Sequence, residues 1–439
     1  MRYLYVENFR GFEQQYIPLK DVNFLVGENS TGKSSILALL NLLSSPSLWM
    51  RQEFNTEEYQ FGNYRDIANV NAKDVDYFRV GLILCSDKKT SSFVFLMEFR
   101  EKNGLPAISK YYHINDANIV KLFFTDEDIK YSINTIDYDK EPVEVIKKVF
   151  DSWLVDRVDE SNLKKLKTFS FELFDMPLSV LTSIIEDSKS IKKRGAKKPR
   201  IINTPDLLSM MGFTHHLVWI APLRSKPKRT YDQIKLAFNP EGDHTPYLIR
   251  KMLEDEESDI AKDFHSFIQG FGKESGLFKD IEINSFGTHP ASPFELRVVN
   301  EGKSLNVCNL GYGVSQSLPI LVELFTRPKY SWFAIQQPEV HLHPRAQAAL
   351  GEVFFDLAMK EKMIFFIETH SDFMVDRFRL KVNSTKKTVE SQVVFFEQKD
   401  SLNKAYPIKI LPNGRYQDNL PESFGSFFIK EEISILGIR

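Results

Sequence analysis

The chain has 439 residues, 42% hydrophobic and 26% charged, the balance of an ordinary globular protein of two or three packed units. A formal net charge of -2 excludes a chain that coats nucleic acid by bulk charge alone, although local basic patches remain available. Two cysteines, Cys85 and Cys308, lie far apart in apolar surroundings, which excludes a disulfide framework or a cysteine-ligated metal and fits a reducing compartment.

The N-terminal MRYLYVENFRGF has neither an apolar h-region nor a small-residue cleavage site, so no signal peptide is expected. The apolar run Met363–Ile367 is strand-sized, and no run reaches membrane-spanning length. The expectation is a soluble, cytoplasmic chain with no membrane contact. Tyr3–Val6 and Val22–Val26 read as strands. Ser34–Leu43, free of Gly and Pro, reads as a buried helix. Phe78–Ile133 is strand-like, and Val143–Ile191 reads as helical with a break at Pro177. Three further apolar runs, Trp332–Ile335, Met363–Ile367 and Val393–Phe396, are separated by the helical patterns Gln347–Met359 and Asp372–Arg379. Strands alternating with helices predict a largely parallel sheet. The expected organisation is an N-terminal half over 1–65, an inserted β-rich and then helical region over 66–277, and a C-terminal half over 278–439.

The strongest motif is Gly27-Glu28-Asn29-Ser30-Thr31-Gly32-Lys33-Ser34, which matches GxxxxGK[ST] and is followed by Ser35. Its glycines let successive backbone N–H groups curl toward phosphate oxygens, and the helix behind adds its positive end. Lys33 is expected on the β- and γ-phosphates of ATP, and the Ser34 hydroxyl on Mg²⁺. The motif sits between a strand and a helix, which disfavours the plain alternative of a glycine turn capping a core helix. Downstream, Asn309–Gln316 is a glycine-containing loop ahead of the helix-like SLPILVELF. The strand Trp332–Ile335 runs into Gln336-Gln337-Pro338-Glu339 and then Val340-His341-Leu342-His343-Pro344. A last strand runs into Glu368-Thr369-His370-Ser371.

This order of P-loop, insertion, glycine–serine loop, Walker-B-like strand, HLHP and strand–THS resembles the ABC-type ATPases with SMC- or RecF-like heads. Among them it is similar to the OLD-like (overcoming-lysogenisation-defect-like) group. The resemblance covers about the first 60 and the last 130 residues, with a looser match at Ala221-Pro222-Leu223-Arg224. The tail, Pro412-Asn413-Gly414-Arg415 and Pro421–Phe428, also resembles one found on some of these ATPases. It implies an α/β fold: an ABC-type P-loop head with a mostly parallel central sheet and an inserted β and helical region. It also implies that Gly311, Gly313, Ser315 and Gln316 form a signature loop that closes over the ATP of a second protomer. Val340–Pro344 would be the D-loop and His370 the switch histidine. The partners implied are a second copy of the chain and a separate effector, a nuclease, in anti-phage systems such as PARIS or Septu. The rival reading is a DNA-repair or chromosome-type ATPase that clamps DNA directly.

The sequence departs from the family pattern where acids are expected at the end of the Walker B strand and Gln336 and Gln337 stand instead. An amide oxygen can touch Mg²⁺ or water but brings no charge and accepts a proton poorly. Three readings follow: slow hydrolysis, a larger share for Glu339 or His370, or a hydrolysis trap at Gln336. Gln60 falls where a Q-loop glutamine would join the metal. Two other patterns read as less chemical: a His341–His343–His370 metal cluster, and Asp137-Tyr138-Asp139 as a nuclease centre. The basic runs Lys192–Arg200 and Arg224, Lys226, Lys228, Arg229 are candidate DNA or RNA contacts.

Overall fold

The computed structural model describes residues 1–155, 163–165 and 217–425, apart from breaks at 57, 73–75, 86–91, 116–117, 127, 137–141, 233, 256, 290 and 386–387. It divides into two compact units that share the sequence in alternation. The first takes Met1–Leu19, Glu28–His216 and Phe396–Ala405, and the second takes Lys20–Gly27, Leu217–Phe395 and Tyr406–Arg439.

The first unit is built on an antiparallel sheet. Its strands are β1 (Arg2–Phe9), β2 (Phe12–Pro18), β4 (Phe78–Cys85), β5 (Ser92–Lys102), β6 (Leu105–Asn115), β7 (Asn118–Phe124), β8 (Ile129–Thr135) and β9 (Lys164–Lys165). The order is β2-β1-β4-β5-β6-β7-β8-β9. Side chains alternate between faces along the strands. Phe95 and Tyr111 pack on Trp49, while their neighbours Leu96 and Tyr112 join the cluster around Phe150 and Trp153. Trp49 sits on the short helix α2 (Pro46–Arg51), which follows α1 (Lys33–Ser44), and α3 (Tyr64–Ile67) precedes β4. Phe150 and Trp153 belong to α4 (Pro142–Leu154), and Gly81 makes room for Phe150: a Cβ there would lie 2.6 Å from its ring. Residues 156–162 and most of the span expected to be helical lie outside the described residues. Within that span Lys164–Lys165 is strand, because it pairs antiparallel with Lys130 and Tyr131 of β8.

The second unit carries the parallel sheet. β3 (Val22–Gly27), β10 (Leu217–Ile220), β14 (Trp332–Gln336), β15 (Ile364–Glu368), β16 (Ser391–Lys399, of which Phe396–Lys399 count with the first unit) and β17 (Leu402–Ile410, of which Leu402–Ala405 do) stand in the order β10-β14-β15-β3-β16-β17. The first four are parallel neighbours. A smaller antiparallel sheet contains β11 (Asp280–Ser285), β12 (Phe294–Asn300) and β13 (Lys303–Asn306). Its helices include α5 (Thr245–Met252), α6 (Asp259–Ser275), α7 (Tyr312–Thr326), α8 (Pro344–Lys360) and α9 (Asp372–Ser384). One large apolar cluster joins these elements, from Val22 and Phe24 through Phe333, Phe354 and Phe365 to Phe378. Phe424 of the tail packs on Phe395 and Tyr416 within it. The expected α/β head with a parallel central sheet is the fold found. Among the described residues no helix is long and apolar enough to cross a membrane.

Candidate nucleotide site

β3 is fully buried and ends at Gly27, whose φ of 140° only glycine adopts with ease. The chain then loops through Glu28–Gly32 and enters α1 at Lys33. Gly32 has φ 97°, and a Cβ on it would meet the Phe12 ring at 2.6 Å. The N-terminus of α1 has no side-chain cap and no acid in its first turn, so no carboxylate of that turn competes with an anion for the positive end of the helix. Thr31 and Lys33 are buried, and both donate to Glu28 O, from Oγ1 at 2.8 Å and from Nζ at 2.6 Å. Glu28, Asn29 and Ser30 are exposed, and Ser34 is half-buried. This donor set suits phosphate: a glycine-shaped backbone, a helix start, one lysine and one serine hydroxyl. Gln60, also in the first unit, is exposed, and its amide donates to Thr56 O at 2.5 Å.

In the second unit a separate cluster forms at the ends of β14 and β15. Gln336 pairs with Glu368 in parallel register, and its Nε2 donates to Glu368 Oε2 at 3.2 Å. The Gln337 N–H donates to Glu368 O at 2.8 Å, and Gln337 turns the chain with φ 42°. Glu339 uses both carboxylate oxygens on the neighbouring strand end: Thr369 Oγ1 donates to one at 2.9 Å and the His370 N–H to the other at 2.7 Å. That bidentate hold makes Glu339 a clamp on the His370 turn, with His370 itself exposed. Ser371 donates to Gln347 Oε1 at 2.6 Å, and Gln347 donates to Leu342 O at 2.8 Å, which fixes the turn after Glu339. His341 and His343 lie in this turn rather than on a strand, and His343 Nδ1 caps α8. Among the described residues no group of three His, Cys, Asp or Glu is placed to hold a metal.

The signature-like residues open α7. Gly311 and Tyr312 are exposed, and the Tyr312 ring lies 5.6 Å from that of His341. A Cβ on Gly313 would come within 3.2 Å of His341 O. Ser315 is buried and donates to Tyr312 O at 2.9 Å. Gln316 is buried, with its amide pointing to Arg224 O at 3.4 Å.

Arg224 corrects an expectation: it is only 6% exposed and cannot be a surface contact for nucleic acid, whereas Lys226, Lys228 and Arg229 are exposed. Its Nη2 donates to Gln336 O at 3.0 Å and, more weakly, points to Gln337 O at 3.4 Å. Burial pushes the guanidinium pKa down to about 10, partly opposed by the charge of Glu339. Lys192–Arg200 and Asp137–Asp139 lie outside the described residues. Arg224 and Glu368 were missed as site residues by pattern reading. The signal for Glu368 was an acid at the end of a buried strand, and for Arg224 a cation directly after one.

The family model described as AAA ATPase domain matches residues 1–375. The chain is similar to the SMC head domain from Thermotoga maritima, with 10% identity, 93% of this chain and 99% of that chain covered, and a TM-score of 0.40. It is similar to the Smc head domain of Pyrococcus furiosus, solved with an extended coiled coil and the C-terminal domain of ScpA, with 10% identity, 99% and 100% covered, and a TM-score of 0.41. A structure from work on ATP-driven dimerization and DNA-stimulated activation of SMC ATPases matches with 12% identity, 39% and 93% covered, and a TM-score of 0.26. No curated protein matches the chain. With most of its length matched by that model, the chain belongs to the AAA ATPase domain family.

Proposed function

We propose that this chain is an ATP-binding and ATP-hydrolysing subunit whose heads pair around ATP, and that pairing regulates a separate effector, a nuclease, in anti-phage defence. The observation that carries the pairing is the exposed start of α7, with Gly311 and Tyr312 at the surface and no side-chain cap on its first turn among the described residues. The P-loop binds the phosphates of one ATP, and this turn reaches the ATP of a second copy. Ser315 must rotate off Tyr312 O to take part. Mg²⁺, when bound, would neutralise phosphate charge, and Ser34 of the P-loop is the residue expected to face it. The effector and its defence context rest on the motif order from P-loop to strand–THS. Exposed Lys226, Lys228 and Arg229 favour a second reading, an ATPase that clamps DNA directly.

Light scattering of the full chain with and without ATP tests the pairing. The parent should gain mass with ATP. Ser315→Arg should bind ATP and stay at its nucleotide-free mass. The same ATP-dependent assembly in both would refute the sandwich. Salt-sensitive, ATP-dependent binding of DNA by the single chain would move the conclusion to the clamp.

A further inference from the structure

Arg224 is an unusual residue to bury. Its Nε and Nη1 have no hydrogen-bond partner among the described residues, and only Nη2 is engaged, on the carbonyls at the end of β14. A buried charge with unmet donors weakens a fold, and an apolar side chain of similar length would be more stable there. The residue therefore serves something other than stability. Its surroundings say what: its own carbonyl is the acceptor for Gln316 in the first turns of α7, while its guanidinium grips Gln336 O and Gln337 O. Two elements thus meet at one residue.

We propose that Arg224 is a positioning residue that ties the start of α7 to the end of β14, so that the turn offered to a partner's nucleotide and this strand end move together. The functional meaning rests on the head-pairing reading, but the link itself is a property of one chain and is testable without nucleotide.

The test is hydrogen exchange of the full-length chain, followed at the Gln337 and Leu342 amides, which donate to Glu368 O and Glu339 O. The Gln316 amide reaches the Arg224 carbonyl, and Gln316→Leu should speed exchange at both amides at least about threefold, as coupled neighbours require. Arg224→Met should do the same, and the double variant should show no more than the larger single effect. The melting temperature of Arg224→Met should be no lower than the parent's. Arg224→Lys, which keeps the charge and one donor group, should fall between Met and parent, and it carries the same cycle with Gln316→Leu if the Met variant fails to fold. Unchanged exchange at Gln337 and Leu342 in Gln316→Leu, or effects that simply add, overturn the link. Neither result bears on ATP binding, which is judged separately at Lys33.

Discussion

Gln336 donates its amide N–H to the carboxylate of Glu368 at 3.2 Å, so the position that would hold an acid in the resembled family is tied by hydrogen bond to an acid on the next strand. The strand ends keep one negative charge between these two side chains, where a glutamate in place of Gln336 would make two. Gln336→Glu should raise ATP turnover at least about tenfold, roughly 1.4 kcal/mol of barrier, because charge at this edge supports phosphoryl transfer and a lost general base typically slows reactions ~10²–10⁴-fold. Steady-state phosphate release at saturating ATP measures it; equal rates would make Gln336 a bystander.

The same substitution has a second signature. Two carboxylates at this separation repel one another once both are ionised. The repulsion is absent at low pH and grows as pH rises through the ordinary glutamate range. Without metal or nucleotide, Gln336→Glu should therefore lose stability relative to the parent as pH climbs from about 4.3 toward neutrality. Parallel denaturant curves for the two proteins across that range would contradict the pairing of 336 with 368.

His113 gives the first unit an acid-sensitive spot. It is fully enclosed beside Phe93 and Tyr111, shares a hydrogen bond with Val94 O at 3.1 Å, and burial pushes its pKa down to about 4. Its folded pKa is depressed, so its contribution is intact above about 6.5 and lost as pH falls toward 4, amounting to roughly 3 kcal/mol at most. His113→Phe should flatten the fall in urea midpoint between about pH 6.5 and 4.5. An identical slope in both proteins would show that His113 does not govern it.

Gly32 should tolerate no side chain. Its φ of 97° costs a non-glycine residue about 1–2 kcal/mol, and the Phe12 ring blocks a Cβ at 2.6 Å. Gly32→Ala should lower the melting temperature and weaken ATP binding together. Normal affinity in a well-folded variant would mean that the loop does not depend on this conformation.

Much of the nucleotide half was legible because it is local. β3, the glycine loop and α1 follow one another in sequence, and an apolar run, a GxxxxGK[ST] pattern and a Gly-free helix announce them in turn. β14 and β15 were visible for the same reason, as short apolar runs ending in polar residues. What pattern reading missed depends on distance. Arg224 lies 112 residues from Gln336 and reaches it only because β10 pairs with β14. In sequence it reads as one more cation of the Lys226–Arg229 stretch, and only burial separates it from them. Glu339 was read as a catalytic candidate, but its hold on the neighbouring turn shows only when the register of β14 and β15 brings Thr369 and His370 to its two oxygens. Lys164–Lys165 was drawn into a helical span because two polar residues carry no strand periodicity. Its pairing with β8 is set by the sheet.

Titrating ATP–Mg²⁺ into the parent and into Lys33→Ala, with folding checked by circular dichroism, tests whether residues Gly27–Ser35 hold ATP. Lys33 carries the one formal positive charge of the loop, and a hydrogen bond to a charged group contributes about 1.5–3 kcal/mol. The parent should bind, and the variant should bind at least about tenfold more weakly while remaining folded. Equal affinity for ATP in the two proteins would contradict the account.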